Sequence, residues 1–298
     1  MYGKEKIEGF LKPLGLSQFI IDLLWGQIEQ AGFFLLDWNY QIALPYIPQR
    51  FIDEIKGIAT GSNGTVSETM LIRANMLPEL TQAACTVFGA FGDATADNKL
   101  YHLRALDWEP TAEVNQYPTV IIYDSTEEGS KPFANIGYMG LIGSLTAMSK
   151  IGISIGEKVL YPRSPTDFPL PPTITYVGKP WMFVLRDTVQ FSNNVEEAEA
   201  QLQDTKRTMM IHLGLGSLPD KTFRGVDYAS NFISFFDDAN YTHYSGSHPQ
   251  MSGVFYYDKH PQPSGDMCIA SILQQQHGKI TPETMFRDIA GFHETGNA

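Results

Sequence analysis

Cysteine is scarce in this chain of 298 residues, which contains only Cys85 and Cys268. Two cysteines cannot build a disulfide framework, and no CxxC pair is present to bind a metal or to carry redox chemistry. The sequence therefore excludes a small disulfide-rich scaffold. It leaves each cysteine as a core residue, as half of one disulfide, or as a reactive thiol.

Positive charge is also in short supply. The chain has 21 lysines and arginines against 33 aspartates and glutamates, so its formal net charge is -12. Such a chain repels phosphate backbones and offers no basic stripe along which a nucleic acid would bind. We expect no nucleic-acid partner.

Long apolar runs are missing as well. None reaches the ~18 residues that a membrane span requires, and the first ten residues lack the basic and then apolar pattern of a signal peptide. The closest approach, residues 16–36, is interrupted by Asp22 and Glu29 and has its apolar residues at helical spacing. We expect a soluble chain whose N-terminal helix packs on the protein and associates at most weakly with lipid.

The periodic segments predict an α+β fold with a single domain over residues 1–298. Helical spacing predicts helices over 48–60 and 65–76, and further helices begin after Pro180, Asn194 and Thr281. Short strand-like runs, separated by Gly, Asp and Asn turns, occupy residues 85–91, 99–108, 119–123, 141–148, 151–159, 208–215, 228–236 and 254–258. This order is compatible with antiparallel sheets that are covered by helices on both outer faces.

Cys85 stands at the first residue of a predicted strand, directly after a helical region that ends in small residues. A turn-rich segment then leads to the strand that contains Arg104 and Asp107. The implied hairpin brings these three residues toward one end of neighbouring strands. Cys85 as an ordinary core residue, and Arg104 and Asp107 as surface charges, remain open on spacing alone.

The pattern Cys85-Thr86, a turn, and then His102-x-Arg104-x-Leu106-Asp107 resembles the cysteine N-terminal-nucleophile hydrolases. This family includes acid ceramidase, N-acylethanolamine acid amidase and the penicillin-type acyltransferases. Weaker similarity runs along much of the chain, over residues 47–59, 137–148 and 179–198. The resemblance implies a four-layer αββα sandwich with antiparallel sheets.

The resemblance also implies self-cleavage between Ala84 and Cys85. Residues 1–84 would form a helical pro-segment that stays associated with the catalytic part, residues 85–298. Cys85 would then supply both the thiol nucleophile and, through its new α-amine, the base. Asp107 would orient that amine, and Arg104 would hold the thiolate and the substrate carbonyl by charge-assisted hydrogen bonds.

The family places an asparagine late in the chain to stabilise the oxyanion, and Asn240 is the candidate here. An asparagine amide donates a hydrogen bond without adding charge, which suits a developing oxyanion. A turn residue or a glycan site is the alternative at this position. Lys259 or His260 would take at most a supporting role.

A lipophilic acyl amide such as a ceramide or an N-acylethanolamine is the expected substrate, because the family and the 18 Phe and 14 Tyr residues fit one. Hydrolysis and transfer of the acyl group to an amine use the same thioester. We expect no cofactor and no metal. The resemblance implies a lysosomal or secreted protein, although the given chain shows no signal peptide.

Three rival hypotheses remain at this stage. A papain-like enzyme would need a histidine beside Cys85, for which His102, His212 and His248 are the candidates. A zinc site of His243, His248 and His260 lacks metal-ligand spacing. The more serious rival is a non-catalytic lipid-binding relative of the same fold. The chain also departs from the family at both ends, where further strands are expected, so we expect open sheet edges.

Overall fold

The computed structural model of the protein describes residues 18–80, 84–107, 113–160, 164–241, 248–262 and 264–291. Its helices are α1 (Gln18–Ala43), α2 (Gln49–Gly61), α3 (Glu68–Met76), α4 (Trp181–Phe191), α5 (Val195–Asp204), α6 (Cys268–Gln276) and the single turn α7 (Pro282–Thr284), which continues as a π-helix over Met285–Ala290. No helix in this described part of the chain combines the length and the apolarity that crossing a membrane demands.

In the described part of the chain ten strands form two antiparallel sheets. They are β1 (Ala84–Ala90), β2 (Tyr101–Asp107), β3 (Pro118–Tyr123), β4 (Phe133–Tyr138), β5 (Thr146–Ser149), β6 (Ile153–Val159), β7 (Ile211–Ser217), β8 (Thr222–Tyr228), β9 (Ile233–Phe236) and β10 (Val254–Tyr257). The smaller sheet has the order β10-β1-β2, and the larger sheet runs in sequence order from β3 to β9.

The two sheets lie face to face, and helices cover both outer sides. One core joins Val184 of α4 and Leu202 of α5 to Ile155 of the larger sheet. A second core joins Leu273 of α6 to Phe88 of the smaller sheet. The layers are therefore α, β, β and α, which confirms the predicted α+β sandwich.

Close approach of the sheets depends on missing side chains. A Cβ at Gly89 of β1 would collide with the ring of Phe223, and one at Gly225 of β8 would collide with the ring of Phe255. These two rings fill the space between the sheets together with Val87. Because glycine lets a facing ring occupy this space, the inner faces can pack at core density.

The smaller sheet covers β6, β7 and β8 but leaves the inner face of β3 to β5 open. On that open face Val120, Ile122, Ile136 and Met148 are exposed. Among the described strands β2 and β10 are the edges of the smaller sheet, and β3 and β9 are the edges of the larger one. An apolar surface thus adjoins the free edge of β2.

The N-terminal helices α1 to α3 pack against Phe183 of α4 in one apolar cluster. Phe51 of α2 stacks on Phe183 of α4 with ring centroids 4.3 Å apart. Arg186 of α4 pairs with Glu54 of α2 at 2.7 Å. The amide of Asn75 in α3 donates to the carbonyl of Gly140, which ties the same layer to the loop after β4. The segment before Cys85 is therefore bound to the part after it by both apolar and polar contacts.

We expect Phe51→Ala to lower the free energy of unfolding by about 3–5 kcal/mol, because the ring is fully buried against α4. Ile58→Ala in the same helix is the control, since Ile58 is exposed and such changes usually cost less than about 0.5 kcal/mol. Urea unfolding of both variants measures the difference. Equal losses would contradict the docking of α2 on α4.

Candidate functional site

The β1–β2 hairpin brings Cys85 and Arg104 to one face. In the antiparallel register Cys85 lies opposite Leu106, and Val87 lies opposite Arg104. Side chains alternate along a strand, so these four residues point to the inner face, between the two sheets. The predicted convergence of Cys85 and Arg104 is therefore observed.

Arg104 is the centre of the site. Its Nη2 donates to Cys85 Sγ at 3.3 Å, and its Nε donates to the backbone oxygen of Glu157 at 3.2 Å. The same Nη2 forms an ion pair with Glu157 Oε1, and both charged side chains are 5% exposed. One guanidinium thus joins the thiol on the smaller sheet to β6 on the larger sheet.

Glu157 is a site residue that the sequence analysis missed. Its Oε1 lies 3.9 Å from Cys85 Sγ, so the carboxylate accepts from the thiol as well as from Arg104. Glu157 and Lys158 are both buried in β6, a strand whose seven residues are all buried. Two adjacent charges inside the predicted strand 151–159 were the available signal, because charged residues in a core strand are almost always paired.

The thiol is held in its protonated form. Burial raises the pKa of Cys85 to about 12, and the charge of Glu157 adds to this effect, while Arg104 and Lys158 oppose it. Burial also raises the pKa of Glu157, against the opposing pull of Arg104. Cys85 is therefore a neutral, shielded thiol while the chain is intact.

Asp107 ends β2 and lies opposite Ala84 in the strand register, beside the bond predicted to break. Its charge is one of those that raise the pKa of the Cys85 thiol, so it is part of the same electrostatic environment. This position is where a carboxylate that binds a new α-amine on Cys85 would be needed. The role itself stays a prediction.

Asn240 is not brought to Cys85. It is exposed in the turn after β9, where its amide oxygen accepts from the backbone N–H of Asp237 at 2.8 Å. The neighbouring Asp238 accepts from the N–H of Gly253, just before the residue that pairs with Ala90 at the far end of β1. Five strand residues, about 17 Å, separate Ala90 from Cys85. Asn240 has the environment of a turn residue, the alternative weighed from the sequence.

The histidines suggested for a papain-like site bond elsewhere. His102 Nδ1 lies 2.9 Å from Ser154 Oγ, and His212 Nδ1 lies 2.7 Å from Asp227 Oδ1. His248 Nε2 donates to a backbone oxygen 2.7 Å away and the ring stacks on a tyrosine. The contacts that the structure gives the Cys85 thiol are Arg104 and Glu157.

Within its described residues, the structure does not group the histidines that were considered for a zinc site. His243 lies outside the described residues, and the ring of His248 stacks on Tyr256. His260 Nδ1 instead lies 3.5 Å from Asp258 Oδ1 and 3.4 Å from Asp266 Oδ2. Among the described residues this is the group that offers three ligand atoms together, and ion pairing explains the same geometry.

An apolar cleft of about 480 Å³ opens beside the site, along the free edge of β2. Arg104 and Leu106 form one wall, and Ile136 of β4 and Leu145 form the opposite wall. Phe286 of the C-terminal π-helix closes one side. The cleft therefore leads from an apolar surface to the arginine that touches the thiol.

Two curated proteins of Dictyostelium discoideum resemble the chain along most of its length. Protein dcd1A is 34% identical over 277 residues, a match that covers 89% of this chain and 60% of dcd1A. Protein dcd1B is 34% identical over 301 residues, covering 98% of this chain and 57% of dcd1B. The chain thus spans less than two thirds of the length of these relatives. No protein-family model matches it.

The fold has a counterpart among solved structures. A Caenorhabditis elegans N-acylethanolamine-hydrolyzing acid amidase (NAAA) ortholog superposes with a TM-score of 0.51, covering 72% of this chain and 88% of that one. The sequences are 13% identical, so the likeness concerns the fold alone. The chain has the α+β sandwich of the N-terminal-nucleophile hydrolases, as the hairpin motif led us to expect.

Brief alkylation of the freshly purified intact chain at pH 8 is expected to label Cys268 and to spare Cys85. A thiol with a pKa of about 12 is ionised to only about 10⁻⁴ at this pH, and only the thiolate reacts. Peptide mapping by mass spectrometry measures both sites, and denatured protein, in which both must react, is the control. Equal labelling of the two thiols in the folded chain would show that Cys85 is not shielded.

Proposed function

We propose that this chain is a self-processing cysteine amide hydrolase whose nucleophile is Cys85. The observation that carries the proposal is the contact between the Arg104 guanidinium and Cys85 Sγ, at the first strand of an N-terminal-nucleophile fold. A shielded cysteine that served only the core would not need a buried cation against its sulfur, because burying that charge is costly.

Self-cleavage begins when Cys85 Sγ attacks the carbonyl carbon of Ala84. Glu157 Oε1, 3.9 Å from the sulfur, is placed to take the thiol proton, and its raised pKa makes it a better acceptor than an ordinary carboxylate. The C–N bond then breaks, the nitrogen gains a proton, and Ala84 is held as a thioester on Cys85. Water hydrolyses this thioester to leave a carboxylate on Ala84 and a free α-amine on Cys85.

In the processed enzyme the same thiol attacks the carbonyl of an amide substrate. The new α-amine accepts the thiol proton and passes it to the leaving amine, which departs as the acyl thioester forms. Asp107, next to the former scissile bond, orients the α-amine. Arg104 donates to the developing negative charge near the sulfur. Water, or an amine acceptor in the transferase alternative, releases the acyl group.

The apolar cleft supports a lipophilic acyl chain as the preferred substrate group. Its walls are mostly aliphatic and aromatic, and it ends at Arg104, so an acyl chain lying in it would place its carbonyl near the thiol. Phe34 and Trp38 of α1 are exposed and give the protein a second apolar surface. Weak association with lipid through α1 is part of the proposal.

Incubation of the purified chain at pH 5 and pH 7 is expected to yield two fragments, residues 1–84 and 85–298, that remain together on gel filtration. Cys85→Ala should stay one polypeptide, and Cys268→Ser, the matched control, should be cleaved like the unaltered chain. Intact mass spectrometry measures the products. A chain that stays intact through prolonged incubation at both pH values would contradict the proposal.

We expect the processed enzyme to release fatty acid from long-chain N-acyl amines and Ile136→Glu to raise KM for them about tenfold or more. A charge in the cleft wall removes apolar contact worth about 1.5–3 kcal/mol per buried side chain, whereas a short acyl group does not reach it. Met148→Glu is the control, since Met148 is exposed on the same sheet but does not line the cleft. If the processed enzyme releases fatty acid from neither ceramide, N-acylethanolamine nor acyl-amino acid, the proposed substrate class is refuted.

A further inference from the structure

Glu79 is a buried carboxyl group five residues before Ala84, and it plays no part in the chemistry described above. It is 2% exposed and ends the 3-10 turn Leu77–Glu79 that follows α3. We infer that Glu79 is a positioning residue for self-cleavage, which fixes the segment before the scissile bond on the N-terminal end of α4. The inference rests on the proposed self-cleavage and assigns a residue that affects the rate of that step.

Two hydrogen bonds, formed in opposite directions, make up a Glu79–Trp181 latch. Glu79 Oε1 accepts from the backbone N–H of Trp181 at 2.7 Å. The indole Nε1 of Trp181 donates to the backbone oxygen of Pro78 at 3.1 Å. Trp181 is the first residue of α4 and is 4% exposed; its bond to Glu79 is buried, and its bond to Pro78 is partly buried.

The latch gives each partner the hydrogen bond that it needs when buried. The first N–H groups of a helix have no partner within the helix, and a buried carboxyl group needs a donor. Because each group would be costly without the other, the segment is held to α4 more firmly than surface contacts would hold it.

The latch restricts the scissile bond through the chain. Ala84 is fixed on the other side by its pairing with Asp107 in the sheet. The five residues after Glu79 can span at most about 18 Å, so the Ala84–Cys85 bond is tethered between two fixed points. Fewer conformations are then available to the Ala84 carbonyl, and attack by the thiol gains from orientation.

The carboxyl group also makes the latch sensitive to pH. Burial raises the pKa of Glu79 to about 7, against the opposing hydrogen bonds from Trp181 and Thr208. The ordinary value is 4.5, so the latch stabilises the folded chain fully below pH 4.5 and loses this contribution as pH rises through 7. Acid therefore favours the latched form.

The other groups near the carboxyl do not reverse this direction. Tyr228 of β8 is fully buried, and the charge of Glu79 adds to the burial that raises its pKa, so the phenol stays neutral. Arg207 lies over that ring at 5.8 Å and opposes the same shift. Lys179, before α4, is paired with Asp187 of the same helix.

The inference is tested by measuring cleavage rates between pH 5 and pH 8 by intact mass spectrometry. The variants are Glu79→Ala and Glu79→Gln, and Asp53→Ala is the control. Glu79→Ala should slow cleavage about tenfold at pH 5, the equivalent of one lost hydrogen bond. Glu79→Gln keeps an acceptor for Trp181 but cannot ionise. Its cleavage rate at pH 5 should equal that of the unaltered chain and should not change up to pH 8, whereas the unaltered chain should cleave more slowly at pH 8. Asp53 is exposed, so its variant should follow the unaltered chain.

Two results would overturn the role of Glu79 while the proposed function stands: a Glu79→Ala chain that cleaves at the unaltered rate, or a Glu79→Gln chain that keeps the pH dependence. If the unaltered chain itself never cleaves, the proposed function fails. Hydrogen exchange then tests the latch in the Cys85→Ala chain, where adding Glu79→Ala should speed exchange at the Trp181 amide. Unchanged protection there would refute the latch itself.

Discussion

The arrangement of the site depends on one buried cation. The guanidinium of Arg104 contacts Cys85 on its own sheet and Glu157 on the facing sheet, so it links the inner faces at the point where the first strand begins. Removing one partner of a buried pair leaves an unpaired charge, which typically costs about 3–5 kcal/mol. Arg104 therefore joins the two sheets at the Cys85 thiol.

How much of this could be predicted from the sequence differs between local and long-range features. The hairpin of β1 and β2 was predictable because both strands and their turn are contiguous, and Asn194 does cap α5 as expected by accepting from the N–H of Glu197. Strand β4 was missed, since Asn135 and Gly137 interrupt its apolar pattern. Strand β8 was also missed: the run 228–236, predicted as one strand, holds only Tyr228 of β8, followed by a turn and β9.

The residues of the site divide in the same way. Cys85 and Arg104 lie on neighbouring strands of one hairpin, and its register brings them together. Glu157 lies 53 residues after Arg104 and reaches it only because the sheets pack face to face, which no local pattern encodes. Asn240 was chosen from its position before a His-Pro pair. It lies in the turn after β9, near the end of β1 that is opposite to Cys85. The strand register sets this position, and a sequence motif does not reveal it.

The electrostatics of the intact chain and of the proposed enzyme are complementary. While the bond between Ala84 and Cys85 is intact, burial and Glu157 keep the thiol neutral, and a neutral thiol is a poor nucleophile. The proposed cleavage would add an amine on Cys85 itself, beside Asp107, where it can accept the thiol proton. The group that the intact site lacks is thus the one that breaking the bond creates. Under the proposed function the site is inactive until it has processed itself, because its base comes from its own backbone.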